Sequence, residues 1–224
     1  MRLVLRLGGS VLASPINTEL ISKYAKVVHT LTKQNKELVV VVGGGTLARE
    51  FIGVANELNL EERDQDEIAI SISRVFAQLF LKKIGSIGAD KIALTLEDVT
   101  NCLNKRKIVV MGGLRPGITT DAVAALVAKH IQADVIIKGT NQDGVYNKDP
   151  KKYCDAIKFD TLSYSDLSNI FQENTHKAGI HQIIDPEAIK FLKNQPIRLI
   201  IVNGFNPNNV LVAVRGEKIG TQIS

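Results

Sequence analysis

An apolar run that passes directly into three glycines and then into a helical pattern constrains this chain most. Residues 38–42 read LVVVV, residues 43–45 are glycine, and the pattern from Thr46 onward is typical of a helix. Such a run suits a buried parallel strand, and the glycines let backbone N–H groups approach a ligand closely. Because the N-terminus of a helix is electropositive, this join favours a bound phosphate.

Two further joins of the same kind occur, one at residues 1–10 (MRLVLRLGGS) and one at 107–126 (KIVVMGGLRPGITTDAVAAL). Three joins in one chain favour a site for several phosphates over an accidental turn. A structural role is the alternative, because Thr119, Thr120 and Asp121 are good helix N-cap residues. The functional interpretation is phosphate or sugar binding at the same helix end.

Strand-like and helix-like segments alternate along the chain. This alternation predicts an α/β fold in a single domain over residues 1–224, with a parallel sheet and helices on both faces. We expect the acidic segment 60–68 to be exposed or to face a cleft, and residues 141–156 to form a β-hairpin or flap. The predicted strands lie near 2–7, 37–42, 107–111, 134–138 and 197–202, and the predicted helices near 17–34, 46–59, 66–84, 119–131 and 186–194.

Composition narrows the functional classes. Hydrophobic residues make up 45% of the chain, and no apolar run approaches the roughly 20 residues that cross a bilayer, so we expect a cytoplasmic protein without a membrane partner. The formal charge is +5, but basic and acidic residues are interleaved, so nucleic acid is not expected as a partner. Cys102 and Cys154 are isolated, and the histidines show no metal spacing, so no protein-held metal is predicted.

Two common nucleotide-binding motifs fit poorly. Residues 43–48 (GGGTLA) formally match the dinucleotide fingerprint G-x-G-x-x-A, but no strand-like run precedes Asp66 and its acidic neighbours. A dehydrogenase, which would bind NAD, is therefore a weak alternative. Gly112 and Gly117 have P-loop spacing, but Ile118 stands where a Walker lysine belongs.

Taken in order, these motifs resemble the amino-acid-kinase superfamily, and most closely the archaeal type of uridylate (UMP) kinase. The resemblance implies a three-layer αβα sandwich with a largely parallel central sheet. It also implies transfer of the ATP γ-phosphoryl group to UMP, a requirement for Mg²⁺, and a homohexamer. The segments that carry it are RLGGS at 6–10, VGGGTLAR at 42–49, GGLRPGITTDAVAAL at 112–126, TNQDGVY at 140–146, KDP at 148–150 and IDPEAIK at 184–190.

Carried over by position, the resemblance assigns the site residues. The ATP-binding set is Gly9, Ser10, Gly45, Arg49, Thr140, Asn141, Tyr146 and Asp149. The UMP-binding set is Gly44, Asp66, Leu114, Arg115, Pro116, Gly117, Ile118, Thr119 and Thr120, with the Asp66 carboxylate suited to accept hydrogen bonds from ribose hydroxyls.

For catalysis, the hypothesis is that Arg6 and Arg49 stabilise the transferring phosphoryl group and that Asp121 orients cationic side chains. Many members of the family that this chain resembles have lysine at the position of Arg6. Arginine keeps the charge but presents a planar fork, so the two are not interchangeable. Lys138 either simply ends its strand or points a charge into the cleft.

Three alternatives remain at this level. Isopentenyl phosphate kinases carry a histidine near the second glycine turn, and residues 43–50 (GGGTLARE) have none. Acetylglutamate and glutamate kinases bind an amino acid, whereas residues 119–126 (TTDAVAAL) resemble the nucleotide-acceptor type better. A non-catalytic nucleotide-binding module is the alternative from another class, and Arg49, Asp121 and Asp149 argue against it.

Overall fold

The computed structural model of the chain describes residues 1–105, 108–173 and 183–224. Within these residues the strands form one mixed sheet in the order β3-β2-β1-β4-β6-β7-β5. The strands are β1 (Arg2–Leu7), β2 (Glu37–Val42), β3 (Ile108–Met111), β4 (Val135–Thr140), β5 (Thr161–Leu162), β6 (Arg198–Asn203) and β7 (Thr221–Ile223). The helices are α1 (Gly9–Leu12), α2 (Thr18–Lys33), α3 (Gly45–Glu57), α4 (Glu62–Ile84), α5 (Leu96–Lys105), α6 (Thr120–His130), α7 (Tyr164–Glu173), α8 (Pro186–Leu192) and α9 (Asn208–Val214).

The register of the central strands explains where the glycine turns meet. β1 pairs in parallel with β2 on one side and with β4 on the other. Leu7 lies opposite Val42 in the first pair and opposite Gly139 in the second. The carboxyl ends of the three strands therefore lie side by side, and the segments that follow them open onto one edge of the sheet, where α/β folds bind ligands.

Side chains alternate between the two faces of the sheet, and helices cover both faces. From β1, Leu3, Leu5 and Leu7 pack into one buried cluster with α2, α4 and α9. Val4 points the other way, into a second cluster with α6 and α8. Burying aliphatic side chains of this size contributes about 1.5–3 kcal/mol each, so both faces stabilise the sheet. The predicted three-layer α/β fold is confirmed.

All five predicted strands are present, with small differences at their ends. The strand predicted from residue 107 runs over Ile108–Met111, and residue 107 itself lies outside the described residues. The five predicted helices are also present. α4 begins at Glu62, before the predicted start at residue 66, so most of the acidic segment is the first turns of a helix rather than a loop. Glutamate and aspartate are favourable there because the helix N-terminus is electropositive.

Several elements were not predicted. β5 and β7 have two and three residues, too few for a hydrophobic period to be visible. α1 is a single turn of four residues. α9 has the sequence NNVLVAV, whose β-branched residues have a low helix propensity. Tertiary packing against α2 and β6 overrides that preference.

Residues 141–156, predicted to form a β-hairpin or flap, lie in a turn-rich loop between β4 and β5 that spans residues 141–160. An antiparallel bridge joins Tyr146 to Lys158, and Asn147 N donates to Ile157 O over 3.1 Å. The antiparallel pairing is confined to this one bridge, and the residues between its two arms form turns, so the segment is closer to the predicted flap than to a regular hairpin. Among the described helices, none combines the length and the apolarity needed to span a membrane.

Candidate active site at the glycine turns

A cavity of about 580 Å³ opens where the carboxyl ends of β1, β2 and β4 face the N-terminal ends of α3 and α6. The three strand–glycine–helix joins all contribute to its wall, so they meet at one place in the fold. The predicted site residues that line the cavity are Arg6, Gly9, Ser10, Gly44, Gly45, Arg49, Asp66, Gly117, Ile118, Thr119, Thr120, Asp121 and Thr140.

The first two glycine turns are packed backbone against backbone. A Cβ atom added to Gly9 would lie 2.1 Å from the backbone N of Gly45. Gly45 itself has φ +65, and a Cβ there would lie 2.7 Å from the backbone O of Ala13 and 2.7 Å from the backbone O of Gly9. No other residue type fits either position without moving a strand end, because the clash is with backbone. The cavity wall at this point consists of main chain.

Two cations share one carboxylate at the inner end of the cavity. Arg6 on β1 lies in register with Lys138 on β4, and Asp121 lies in the first turn of α6. Arg6 Nε lies 2.7 Å from Asp121 Oδ1, and Lys138 Nζ contacts Asp121 Oδ2. We call these three residues the charged triad. The side chains of Arg6, Lys138 and Asp121 are 13%, 6% and 12% exposed, and the triad carries one net positive charge when all three groups are ionised.

Burial and mutual attraction act in opposite directions on the acid of the triad. Burial disfavours the charged carboxylate of Asp121, but Lys138 and Arg6 outweigh that effect and hold the pKa of Asp121 below its usual range. Burial also lowers the pKa of Lys138, with Arg6 acting in the same direction and Asp121 only partly offsetting them. Asp121 is therefore ionised at neutral pH and keeps both cations in place.

Hydrogen bonds connect the triad to the N-termini of two helices. Arg6 Nη2 donates to Thr120 Oγ1 over 2.7 Å, and the backbone N of Asp185 donates to Asp121 Oδ2 over 3.3 Å. Asp185 also caps α8 by accepting from Glu187 N at 2.8 Å, and it contacts the Thr119 hydroxyl. The predicted capping role of Thr119 is confirmed, since its hydroxyl accepts from the backbone at the start of α6.

Asp66 connects α4 to the loop between β3 and α6, residues 112–119. Its Oδ2 accepts a hydrogen bond from Gly117 N over 2.6 Å. Gly117 has φ +81, a conformation that glycine adopts without strain. Asp66 and Glu62 both line the cavity, and most of the other residues of the acidic segment 60–68 are exposed, so each of the two predicted settings applies to part of the segment. A carboxylate accepts several hydrogen bonds, so Asp66 has acceptor capacity beyond this one.

Six predicted site residues do not line the cavity. Leu114 packs against the second apolar cluster, Arg115 is exposed and Pro116 is half-buried in the β3–α6 loop. The other three belong to the β4–β5 loop: Asn141 is exposed, and Tyr146 and Asp149 are half-buried. Burial raises the pKa of the Tyr146 hydroxyl, and Asp143 adds to that effect. Asp149 Oδ1 accepts from Lys151 N at 3.0 Å and so closes a local turn.

The sequence did not decide whether Lys138 ends its strand or points into the cleft, and it did not identify several other residues that line the cavity. The structure shows that the side chain of Lys138 lines the cavity. The sequence feature that could have identified it is a lysine directly after an apolar run in β4. Ser73 is 2% exposed on α4, and its signal was a hydroxyl within an apolar helical pattern. The other unpredicted lining residues are Gly8, Gly43, Ala48, Ile52, Glu62, Ala69, Ile70 and Gly113.

The described part of the chain presents no ready-made metal cage. Over residues 1–105, 108–173 and 183–224, no group of three or more acidic, histidine or cysteine side chains is arranged to hold a metal ion. The acids nearest the glycine turns are already engaged, Asp121 with two cations and Asp66 with a backbone N–H.

Comparison with known proteins decides the family. The model of the amino acid kinase family matches residues 1–203 of the chain. The chain belongs to this family. It is 42% identical to the uridylate kinase of Archaeoglobus fulgidus, with 100% of both chains covered. It is 39% identical to the uridylate kinase of Methanocaldococcus jannaschii, covering 100% of this chain and 99% of that one.

Solved structures agree with the sequence relatives. The crystal structure of the Archaeoglobus fulgidus uridylate kinase superposes with a TM-score of 0.91 at 40% identity, covering 100% of both chains. The UMP kinase of Bacillus anthracis shares the fold, with a TM-score of 0.83 at 20% identity over 100% of this chain and 95% of that one. The resemblance to archaeal uridylate kinases is therefore confirmed.

Proposed function

We infer that this chain is a uridylate kinase, which transfers the γ-phosphoryl group of ATP to UMP and releases UDP and ADP. One observation carries this conclusion. One cavity is lined by three glycine turns, the buried charged triad and Asp66, in a chain 42% identical over its full length to an archaeal uridylate kinase. In the cell, this reaction would serve pyrimidine nucleotide synthesis in the cytoplasm.

Phosphoryl transfer needs alignment and charge stabilisation more than covalent chemistry. We propose that the turns containing Gly9, Ser10 and Gly45 hold the ATP phosphates through backbone N–H groups, with Arg49 at the cavity edge. Arg6 and Lys138 then face the transferring group. The oxygens of that group carry the charge in the transition state, and fixed cations in a buried site stabilise it strongly.

Asp121 has an indirect part in this mechanism. Its carboxylate contacts both cations of the triad, so it holds their side chains in position before the nucleotides bind. Since two cations share one anion, a net positive charge remains for the phosphoryl oxygens. The hydrogen bond from Arg6 to Thr120 links the same cation to the UMP-binding loop.

The acceptor nucleotide is proposed to lie against Gly44, Asp66 and residues 114–120. The UMP phosphate would face the N-terminus of α6, an 11-residue helix whose dipole favours an anion. Asp66 would accept hydrogen bonds from the ribose hydroxyls while keeping its bond to Gly117 N. On the donor side, Thr140 lines the cavity, and Asn141, Tyr146 and Asp149 would contact the nucleoside of ATP.

We propose that Mg²⁺ enters with ATP. The donor set of the cavity fits this arrangement, because Mg²⁺ in kinases is commonly held by substrate phosphates and water with few protein ligands. When bound, Mg²⁺ neutralises phosphate charge. Arg6, Lys138 and Arg49 supply the protein's share of that charge, and residues 8–10 and 43–45 orient the phosphates.

We also propose that the chain acts as one domain and assembles as a homohexamer. All seven described strands belong to one sheet, which supports the single domain. For assembly, α3 and α4 pack together and expose apolar side chains: Phe51 and Val54 on α3, Leu58 directly after α3, and Val75 and Leu79 on α4. An exposed apolar surface of this kind marks a contact surface. Multi-angle light scattering of wild type and Leu58→Lys tests it: a lower mass for the variant is expected, and an unchanged hexamer would show that this face is not used.

The test of function is ADP release from MgATP with five separate acceptors: UMP, CMP, dUMP, isopentenyl phosphate and N-acetylglutamate. Turnover with UMP, alone or well above the others, is expected. Turnover mainly with isopentenyl phosphate would keep the fold and overturn the acceptor. No turnover with any acceptor, despite measurable ATP binding, would favour a non-catalytic nucleotide-binding module.

A further inference from the structure

The base of the β3–α6 loop is attached to α4 by two consecutive side chains. Ser73 Oγ accepts from Gly113 N over 2.7 Å and donates to Ile70 O over 2.7 Å. Arg74 Nε donates to Gly113 O, and its Nη2 donates to Leu114 O, each over 3.1 Å. Both backbone polar groups of Gly113 are therefore bound by α4.

The loop and the helix are also in close steric contact at this point. A Cβ atom on Gly112 would lie 2.7 Å from both the Arg74 backbone N and the Ser73 hydroxyl oxygen. Because the loop already touches the helix backbone, it cannot move closer, and the three hydrogen bonds between loop and helix resist movement away. The position of Gly113 is thus determined by α4 rather than by β3 alone.

The same helix contacts the loop a second time, farther along. Asp66, Ile70 and Ser73 follow one another at helical spacing and all line the cavity. Asp66 holds Gly117 N near the tip of the loop. Asp66 is itself part of the proposed UMP site. The guanidinium of Arg74 instead donates two hydrogen bonds to backbone carbonyls at the base of the loop.

We propose that Arg74 is a positioning residue for the acceptor nucleotide. Its planar guanidinium presents two N–H donors side by side, which match the successive carbonyls of Gly113 and Leu114. By fixing that base, Arg74 sets where residues 114–120 meet UMP, without touching the nucleotide. The proposal rests on the inferred uridylate kinase activity and adds a residue that determines acceptor affinity.

The test is Arg74→Met, which keeps the aliphatic stem and removes the donors. Arg63→Met is the matched control, because Arg63 lies on the same helix with its side chain 78% exposed and pairs only with Glu67 among the described contacts. We expect the KM for UMP to rise about tenfold in Arg74→Met, since two charge-assisted hydrogen bonds are lost. The KM for ATP should change by less than about twofold, and the control should match wild type.

Arg74→Lys distinguishes geometry from charge. Lysine keeps the positive charge but not the paired donors, so most of the KM increase for UMP should remain in this variant. A general structural role would instead lower Tm and raise both KM values together. If both Arg74 variants bind UMP as wild type does, or if both KM values rise equally, the positioning role is wrong.

Amide hydrogen exchange separates this proposal from the proposed function. Without the Arg74 donors, the backbone amides of residues 113–115 and 117 should exchange at least about tenfold faster, while those of the glycine turn at 43–45 stay unchanged. If wild type does not phosphorylate UMP, the proposed function is wrong. Independently of that result, unchanged amide exchange at 113–115 and 117 in Arg74→Met would show that Arg74 does not hold the loop. Faster exchange there with an unchanged KM for UMP would overturn the role in acceptor binding.

Discussion

The two ends of the proposed nucleotide site are built in different ways. At the glycine turns, strand ends pack main chain against main chain, and the charged triad beneath them is almost fully buried. The β4–β5 loop, at the other end, is tied at its base to β6 and β7, where Asn203 Nδ2 donates to Asp143 Oδ1 and Val145 N donates to Thr221 Oγ1, each over 2.8 Å. Its outer part is held by contacts within the loop. Asn147 Oδ1 accepts from Ile157 N at 2.9 Å, and the exposed Asp155 pairs with Lys148 at 2.5 Å.

This difference indicates which parts of the site tolerate substitution without loss of stability and which do not. A buried charge that loses its partner is costly, whereas an exposed ion pair contributes little to stability. Substitutions at the glycine turns disturb the sheet as well as the chemistry. Substitutions of exposed or half-buried residues in the β4–β5 loop should leave the fold intact, and those at the proposed ATP-binding positions should also change nucleotide affinity. The following predictions test that contrast, from the largest expected effect to the smallest.

Arg6→Ala should reduce kcat by about a hundredfold to a thousandfold, because a fixed cation facing the transition state is lost. KM values for both nucleotides should change much less. Single-turnover kinetics with saturating MgATP and UMP measure the effect, and Arg6→Lys should restore part of it. Arg215→Ala, on an exposed residue paired with Glu217, is the control. If Arg6→Ala keeps full turnover, Arg6 has no role in the transfer step.

Asp121→Asn should lower the free energy of unfolding by about 3 kcal/mol at pH 7, because Arg6 and Lys138 remain buried without their anion. The pKa of Asp121 is lowered in the folded protein, so its contribution is complete above the ordinary carboxyl pKa of about 4. That contribution is lost as the pH falls through the lowered value. Urea unfolding should therefore show the difference between wild type and variant shrinking in strong acid. A difference that stays constant with pH would contradict the ion-pair explanation.

Asp66→Asn should raise the KM for UMP about tenfold, since the amide keeps the shape but lacks the charge that strengthens hydrogen bonds to ribose hydroxyls. The KM for ATP should stay near the wild-type value. The comparison of UMP with dUMP sharpens the result: if Asp66 binds the ribose hydroxyls, the variant should discriminate less between these acceptors. Equal increases in KM for UMP and ATP would argue for a general loss of structure instead.

In the β4–β5 loop, Asp149→Ala should raise the KM for ATP about fivefold and leave that for UMP unchanged. Because Asp149 closes only a local turn, Tm should stay close to wild type. The smallest effect is expected for Asp155→Asn, which breaks an exposed ion pair in the same loop and should alter neither KM nor Tm measurably. A large fall in Tm for either variant would erase the contrast between the two ends of the site.

Features that depend on neighbouring residues in the sequence could be predicted, whereas contacts between residues far apart in the sequence could not. The five long strands were predictable because each is a local apolar run, and β2 is buried from Leu38 to Val42. The glycine turns were also predictable, because each is a short motif of neighbouring residues. The charged triad was only partly predictable, since Arg6 and Lys138 meet through the pairing of β1 with β4, which no local pattern encodes.

Residues that act through the backbone were the hardest to identify. Ser73 and Arg74 bind main-chain atoms of a loop about forty positions away, as their hydrogen bonds to Gly113 show. Arginine is ordinary for a helix, so nothing in the local pattern indicated Arg74, and the hydroxyl of Ser73 within an apolar helical pattern gave no indication of its partner. β5 and β7 were missed because two or three residues cannot display a period of two.

A crystal structure with UMP and a non-hydrolysable ATP analogue tests the central claim most directly. The account predicts the terminal phosphate of the analogue beside Arg6 and Lys138, and the UMP phosphate between Gly44 and residues 114–120. The adenosine should lie toward Asn141, Tyr146 and Asp149. UMP bound away from the β3–α6 loop, or a terminal phosphate out of reach of the charged triad, would contradict it.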